Sequence, residues 1–229
     1  MKYYMVGGAV RDFYRGVKPK DVDFAVEAES YEAMRAWIVG TGATIFLETP
    51  QYVTIRANHP VHGGVDYVLC RKDGAYSDGR RPDEVTPGSI LDDLARRDFT
   101  MNAIALPQHE KGAPIDPHGG INDIADRFVR CVRGVERFEE DRLRILRAYR
   151  FAITFGYSLA LGINAYIRYI GSKGDLFPGV SSDRIKDELV KIARSNEGLM
   201  PLIGSDVGRA ILLEADRRGV WLRPTMEGK

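Results

Sequence analysis

Residues 4–12 read Tyr-Met-Val-Gly-Gly-Ala-Val-Arg-Asp, and residues 20–24 read Lys-Asp-Val-Asp-Phe. In the first stretch, the apolar residues before Gly7 and Gly8 predict a strand, and the residues after them predict a helix. Glycines at a helix N-terminus leave backbone amides open to phosphate oxygens, and Arg11, one turn into the helix, adds a counter-charge. The first stretch therefore predicts a turn that binds a triphosphate.

The second stretch offers metal ligands. Alternate residues of a strand point to the same face, so Asp21 and Asp23 would stand side by side while Val22 turns into the core. Two such carboxylates can hold a pair of Mg²⁺ ions, which clamp the attacking and leaving oxygens of an in-line displacement. Asp66 is the candidate for a third carboxylate, and the alternative is an ordinary carboxylate at a strand entrance. Together the two stretches predict phosphoryl chemistry on a nucleotide.

Composition excludes several classes of protein. The chain has 229 residues, 44% hydrophobic and 28% charged, which predicts one or two ordinary globular domains. A formal net charge of +1 argues against a strongly basic nucleic-acid binder, so an RNA contact would use a local basic face. We expect a cytoplasmic protein with no membrane partner, because the sequence has neither a signal peptide nor an apolar run of membrane-spanning length. Cys70 and Cys131 lack a Cys-x-x-Cys partner, which disfavours a disulfide framework and a structural zinc.

Two patterns divide the chain near residue 138. The first part alternates strands and helices, and the predicted strands are 2–6, 22–27, 43–48, 51–57, 64–70 and 101–106, with a helix over 31–40. Segment 71–90 is polar and rich in glycine, which predicts a long mobile loop. The second part predicts helices over 141–155, 163–171, 182–195 and 207–218, the third of them capped by Ser182 or Asp183. The expected fold class is α+β: a small mixed sheet flanked by helices in 1–138, then an all-α region in 139–229.

Polar residues are packed closely in residues 96–102, Arg-Arg-Asp-Phe-Thr-Met-Asn. The planar guanidinium of Arg97 suits phosphate oxygens, and Asp98 or Asn102 suits ribose hydroxyls, which would select ribonucleotides. This segment is a second candidate part of a nucleotide site.

A third candidate part is the predicted helix that starts at Asp141. Asp141, Arg144 and Arg147 are spaced i, i+3, i+6, so they would share one ridge of that helix. An aspartate accepts from the exocyclic amine of cytosine or adenine, and an arginine donates to the neighbouring ring nitrogen. Uracil and guanine would leave those groups unpaired, so this pair would select CTP and ATP. The alternative is a surface ion pair between Asp141 and an arginine.

Five motifs in this order resemble those of class II tRNA nucleotidyltransferases and bacterial poly(A) polymerases. The motifs are residues 6–12, 20–24, 96–103, 116–120 and 140–147, and residues 181–189 also resemble a neck segment of that family. The resemblance covers roughly residues 1–195. It implies a polymerase beta-like nucleotidyltransferase head in 1–138 and a helical neck, with a nucleotide-selecting helix, in 139–229.

The resemblance also implies roles for single residues. Asp21 and Asp23 would bind the catalytic Mg²⁺ ions, and Gly8, Arg11 and Arg97 would contact the nucleotide. Asp141 and Arg144 would read the base, and Arg147 would support the incoming nucleotide. The loop after Arg71 matches a flexible loop associated with the switch from C to A addition.

The function that follows from these features is template-independent addition of C, A or both to the 3′ end of tRNA or a tRNA-like RNA, from CTP and ATP, by two metals. Asp66 would help to activate the RNA 3′-hydroxyl. Alternatives are an A-adding or poly(A) polymerase-like enzyme, a nucleotidyltransferase acting on a protein or small molecule, and a non-catalytic subunit of a split enzyme.

Family members are commonly longer than this chain. We therefore expect the body and tail domains to be absent and the chain to recognise little more than an acceptor end; the alternative is an oligomer or a partner subunit that replaces their contacts with tRNA. The remaining RNA grip would come from basic residues of the helical part, and the candidates are Arg150, Arg168, Lys173, Arg184, Lys186, Lys191 and Arg194.

Overall fold

The structure is a computed structural model that describes residues 1–74 and 85–220. The described residues form two compact units. The first unit holds residues 1–74, 85–126 and 130–132, and the second holds residues 127–129 and 133–220. In this described part, no helix is both long enough and apolar enough to cross a membrane.

The first unit is built on strands interleaved with helices. Its strands are β1 (Lys2–Val6), β2 (Val22–Glu27), β3 (Thr44–Thr49), β4 (Thr54–His59), β5 (Gly63–Leu69), β6 (Arg71–Asp73), β7 (Val85–Pro87) and β8 (Ala105–Pro107). Its helices are α1 (Gly8–Tyr14), α2 (Tyr31–Gly40), α3 (Ile90–Ala95) and α4 (Gly120–Ala125). Six of the strands form one sheet in the order β3-β4-β5-β2-β1-β8, in which β2 and β5 are parallel and the other neighbours antiparallel. This mixed sheet confirms the expected α+β class.

The alternation of β2 assigns each face of the sheet to a helix. Phe24 is buried on one face with Met34 of α2, and Ala25 is buried on the other with Leu94 of α3. Because Asp23 is two residues from Ala25, its carboxylate lies on the face that α3 covers. Val22 packs against the α2-side core, which confirms that it turns into the core while Asp23 faces the other way. Asp21 precedes the strand, so the expectation that the alternation of the strand places it beside Asp23 is wrong.

Three predicted spans of this unit need correction. Segment 71–90 is not a continuous loop, because β6 pairs antiparallel with β7 and α3 starts at its end; its residues 75–84 lie outside the described part. Residues 50–52 form a 3-10 turn, since Pro50 has no N–H to donate to a ladder. Residues 100–102 form another, in place of the start of the predicted strand 101–106.

The second unit is largely helical. Its helices are α5 (Arg137–Glu140), α6 (Leu143–Phe155), α7 (Ile163–Gly171), α8 (Ser182–Ala193), α9 (Met200–Ile203) and α10 (Asp206–Arg217), and its strands are β9 (Phe128–Val129) and β10 (Ser158–Leu159), which pair in parallel. Ser181, and neither Ser182 nor Asp183, precedes α8. The helix predicted over 141–155 begins only at Leu143, because Asp141 is extended, with φ −154° and ψ 106°.

Candidate functional site

Three predicted carboxylates meet beside β2. Asp23 of β2 and Asp66 of β5 are direct neighbours in the parallel pairing of the two strands, and Asp21 precedes β2. All three line one cavity of about 210 Å³. The sheet therefore brings together residues that lie far apart in the sequence.

Negative charge dominates this cluster. Burial and the neighbouring Asp66 carboxylate raise the pKa of Asp23 above its ordinary value, although the Arg97 guanidinium works in the opposite direction. A bound cation would relieve this repulsion between carboxylates. Oxygen donors of this kind match a hard divalent cation, so the residues fit the metal that the resemblance implies.

The protein supplies only part of a metal shell. In residues 1–74 and 85–220, no three His, Cys, Asp or Glu side chains converge closely enough to hold a metal on their own. Mg²⁺ characteristically binds through one or two carboxylates together with waters and substrate phosphates. The arrangement at Asp21 and Asp23 therefore suits a cation that arrives with a nucleotide.

Arg56 of β4 was missed by the sequence analysis. It stands opposite Asp66 in the antiparallel pairing of β4 and β5 and donates to both carboxylate oxygens, Nε to Oδ1 at 2.7 Å and Nη2 to Oδ2 at 3.0 Å. The sequence did contain a signal for Arg56, because it is the one charged residue of the run Thr-Ile-Arg-Ala at 54–57. The pair fixes the orientation of the Asp66 carboxylate, and each oxygen keeps a further lone pair.

The turn between β1 and α1 requires glycine at one position. Gly7 has φ +69°, and a Cβ there would lie 3.2 Å from Nη1 of Arg97 and 3.6 Å from Oδ2 of Asp23. The predicted residue, Gly8, is the first residue of α1 and lies near the Arg11 guanidinium. Gly7 thus allows the backbone, an arginine and a carboxylate to approach one another closely.

A buried carboxylate positions the arginines of the third motif. Asp93 is fully buried, and its Oδ2 accepts from Arg97 through Nε at 3.0 Å and Nη2 at 2.7 Å, while its Oδ1 accepts from Nε of Arg96 at 3.0 Å. Burial acts to raise the pKa of Asp93, but the two guanidiniums outweigh it and hold that pKa below the ordinary value. The sequence analysis missed Asp93. Its spacing of three and four residues from Arg96 and Arg97 is the one that allows ion pairs along a helix, and it was the available signal.

Asn102 connects Arg97 with Arg11. Its Oδ1 accepts from Arg11 Nη1 at 3.0 Å, its backbone oxygen accepts from Arg97 Nη1 at 3.3 Å, and its Nδ2 donates to Oδ1 of Asp98 at 3.0 Å. Arg11 also donates to the carboxylate of Asp12, from Nε to Oδ1 at 3.0 Å. The predicted residues of the first and third motifs therefore form one hydrogen-bonded network in the first unit.

The predicted helical ridge of Asp141, Arg144 and Arg147, by contrast, is wrong, because Asp141 is extended and lies outside α6. Asp141 is not on the helix with Arg144; its Oδ1 accepts from the backbone of Leu143 at 3.0 Å, and its Oδ2 accepts from Arg184 of α8 at 2.7 Å. Such local bonding from an aspartate competes with helical structure and explains the break before α6. Arg144 instead donates to Glu140, from Nη1 to Oε2 at 2.7 Å.

Two further positions of the expected basic face make ion pairs inside the second unit. Arg150 donates to Glu188 at 2.6 Å, and Lys191 donates to the same carboxylate at 2.9 Å. Their charges, like that of Arg184, are partly neutralised by these partners.

Comparison with known proteins identifies relatives of the chain. The family described as the Poly A polymerase head domain matches residues 3–130. The CCA-adding enzyme of Geobacillus thermodenitrificans strain NG80-2 is 37% identical over 230 residues, which cover 96% of this chain and 53% of that protein. The chain thus spans about half the length of that relative.

Solved structures show the same likeness. The crystal structure of Bacillus stearothermophilus CCA-adding enzyme in complex with CTP superposes with a TM-score of 0.72 at 32% identity, covering 87% of this chain and 46% of that one. A tRNA nucleotidyltransferase complexed with a primer tRNA and an incoming ATP analog gives a TM-score of 0.68 at 27% identity, covering 96% of this chain and 58% of that one.

Proposed function

The chain belongs to the Poly A polymerase head domain family, and on that premise we propose that it transfers C and A nucleotides from CTP and ATP to the 3′ end of tRNA or a tRNA-like RNA. One observation carries the proposal: Asp23 and Asp66 are neighbours in the sheet, next to a glycine turn and a fixed arginine. The relatives named CCA-adding enzymes support the same reaction. In this proposal residues 1–138 are the nucleotidyltransferase head and 139–229 the neck.

Each part of the first unit has a role in binding. Asp21 and Asp23 hold divalent cations, proposed to be Mg²⁺, which when bound neutralise charge on the triphosphate and on the departing pyrophosphate. The amides of the turn at Gly8 and the guanidiniums of Arg11 and Arg97 bind phosphate oxygens. Asn102 accepts from both arginines and donates to Asp98. Asp98 and Asn102 are our candidates for contact with the ribose.

The transfer itself is an in-line displacement. The 3′-hydroxyl oxygen of the RNA forms a bond to the α-phosphorus, the bond from that phosphorus to its bridging oxygen breaks, and pyrophosphate leaves with the electron pair. The hydroxyl proton passes to the Asp66 carboxylate and then to water. The two hydrogen bonds from Arg56 orient that carboxylate for this role.

The choice of base is the role we propose for polar residues around the start of α6. We propose that the Asp141 carboxylate accepts from the exocyclic amine of cytosine or adenine and that Arg144 donates to the ring nitrogen beside it, with Arg147 supporting the nucleotide. Arg184 and Glu140 position these two side chains. Asp141 and Arg144 do not lie on one helical ridge. We therefore propose that the ion pairs with Arg184 and Glu140 hold them in the orientation that matches the base.

The test is incubation of the protein and Mg²⁺ with labelled CTP or ATP and with tRNAs that end at the discriminator base, at C or at CC. We expect C on the first two RNAs and A on the third. Incorporation of A alone would indicate an A-adding enzyme, and incorporation of long A tracts would indicate a poly(A) polymerase-like enzyme. The absence of any transfer by the wild type, at the level of an Asp23→Asn control, would contradict the proposal.

A further inference from the structure

Phe46 occupies an irregular position in the edge strand β3. Ile45 pairs with Ala57 of β4, and Leu47 pairs with Arg56, so the pairing skips Phe46 in a β-bulge. The ring of Phe46 is 62% exposed. It lines the same cavity of about 210 Å³ as Asp23 and Asp66.

Strand alternation explains the direction of this side chain. Adjacent residues of a strand point to opposite faces, so Phe46 faces away from Ile45, and the pairing with β4 changes register directly after it. Ile45 packs against the apolar core on the α2 side of the sheet, whereas Phe46 lines the cavity beside Asp66. Single exposed apolar residues are ordinary on protein surfaces, but this one stands at a cluster of carboxylates, next to a break in the strand register.

The two flanks of Asp23 have different chemistry. Towards β1, Gly7 and Arg97 offer amides and a guanidinium that suit a triphosphate. Towards β3, the cavity is walled by Asp66, Arg56 and Phe46. An in-line displacement places the attacking and leaving oxygens on opposite sides of the phosphorus. If the pyrophosphate leaves on the arginine flank, the attacking 3′-hydroxyl enters from the flank of Phe46.

We propose that Phe46 stacks on the base of the acceptor's 3′-terminal nucleotide in the cavity beside Asp23 and Asp66. This inference rests on the proposed function and assigns the acceptor side of the same site. Aromatic stacking tolerates every base, which suits an acceptor whose last residue changes during addition. Gly64 lines the cavity without a side chain, and the space beside its Cα is open.

The experiment measures binding of an acceptor-stem minihelix RNA that carries 2-aminopurine riboside at its 3′ terminus, with EDTA present so that no transfer occurs. We expect the wild type to quench the fluorophore. Phe46→Ala should lose most of the quenching and weaken acceptor binding by roughly 5- to 100-fold, the effect of losing one stacked base, whereas Phe46→Trp should restore both. The matched control is Tyr52→Ala, which removes an aromatic ring that is 52% exposed and outside the cavity.

Steady-state kinetics separate the two proposals. If the acceptor assignment is correct, Phe46→Ala raises the KM for RNA and leaves the KM for CTP near that of the wild type. If the wild type is active and a folded Phe46→Ala variant quenches the fluorophore as the wild type does, the inference about Phe46 is wrong while the proposed function stands. The same conclusion follows if Tyr52→Ala loses as much quenching and RNA affinity as Phe46→Ala. A wild type that neither transfers nucleotides nor binds the minihelix would overturn the proposed function, and the inference with it.

Discussion

At the scale of single residues, the candidate site places like charges next to one another. Asp23 and Asp66 are neighbours across two strands, and burial with the Asp66 charge raises the pKa of Asp23. A folded chain without a bound cation is destabilised by such a group at neutral pH, because the ionised form is the disfavoured one. The ionised Asp23 therefore lowers the free energy of unfolding of the protein, although we propose that its charge is required for function.

We expect Asp23→Asn to abolish transfer without harming the fold. The rate should fall by about 1000-fold or more, the kinetic equivalent of losing several kcal/mol of metal-assisted stabilisation. In EDTA the melting temperature should stay the same or rise, since the amide removes the repulsion. Rates and melting curves of this variant are to be compared with those of Asp126→Asn, an exposed acid outside the site. A variant that retained a tenth of the wild-type rate in Mg²⁺ would disprove the ligand assignment.

At the scale of elements, the break between α5 and α6 organises the second set of proposed residues. Asp141 is extended and binds Arg184 of α8, and Arg144 binds Glu140 at the end of α5. Burial raises the pKa of Glu140, but its bonds to Arg137 and Arg144 outweigh that effect and lower it. Glu140 therefore stays ionised and holds Arg144 under ordinary conditions.

Arg184→Gln should relax base selection although Arg184 is not itself proposed to touch the base. Releasing Asp141 should lower the ratio of kcat/KM for CTP over UTP by about tenfold, because an unoriented acceptor discriminates less. The measurement is kcat/KM for all four nucleoside triphosphates in Arg184→Gln, Asp141→Ala and the control Lys186→Gln, an exposed residue of the same helix. Unchanged selectivity in Asp141→Ala would return Asp141 to a purely structural ion pair. If only Arg184→Gln kept wild-type selectivity, Arg184 would have no positioning role.

At the scale of the whole molecule, both units contain carboxylates that guanidiniums keep ionised. Asp93 lies in the first unit and Glu188 in the second, and each is at most 3% exposed. For Glu188, burial raises the pKa, but the hydrogen bond from Lys191 and the charge of Arg150 lower it by more. A pKa below its unfolded value means that the stabilisation is complete above about pH 4 and is lost as the pH falls through the folded value.

Acid should therefore unfold this protein, and Glu188→Gln should show the effect of one group. At pH 7 the variant should melt below the wild type, because the substitution leaves Arg150 without its buried partner. Between pH 5 and pH 3 the two melting temperatures should converge as the wild-type carboxylate takes up its proton. Melting curves across this range are compared with those of Glu197→Gln, an exposed acid. A difference that stayed constant down to pH 3 would show that the ionised form of Glu188 adds no stability.

The sequence by itself determined the strand, turn and helix around Gly7, and it indicated that Asp21 and Asp23 share one site. These features follow from neighbours in the chain: two-residue alternation sets the faces of β2, and glycine sets the start of α1. The α+β class followed from the same kind of local pattern. The overlong strand at 101–106 shows the limit, since the backbone N–H groups of Asn102 and Ala103 donate to the carbonyls of Phe99 and Thr100 in a 3-10 turn and not to a ladder.

The tertiary structure alone decided which distant residues meet. Parallel pairing of β2 with β5 places Asp66 beside Asp23, and antiparallel pairing with β4 adds Arg56. The meeting of Phe46 with Asp66 and Arg56 in one cavity likewise depends on register between strands, which alternation in one strand cannot specify. Asp141 also binds Arg184, a partner from another helix. Such contacts arise from pairing and packing across the chain, so local periodicity could not predict them.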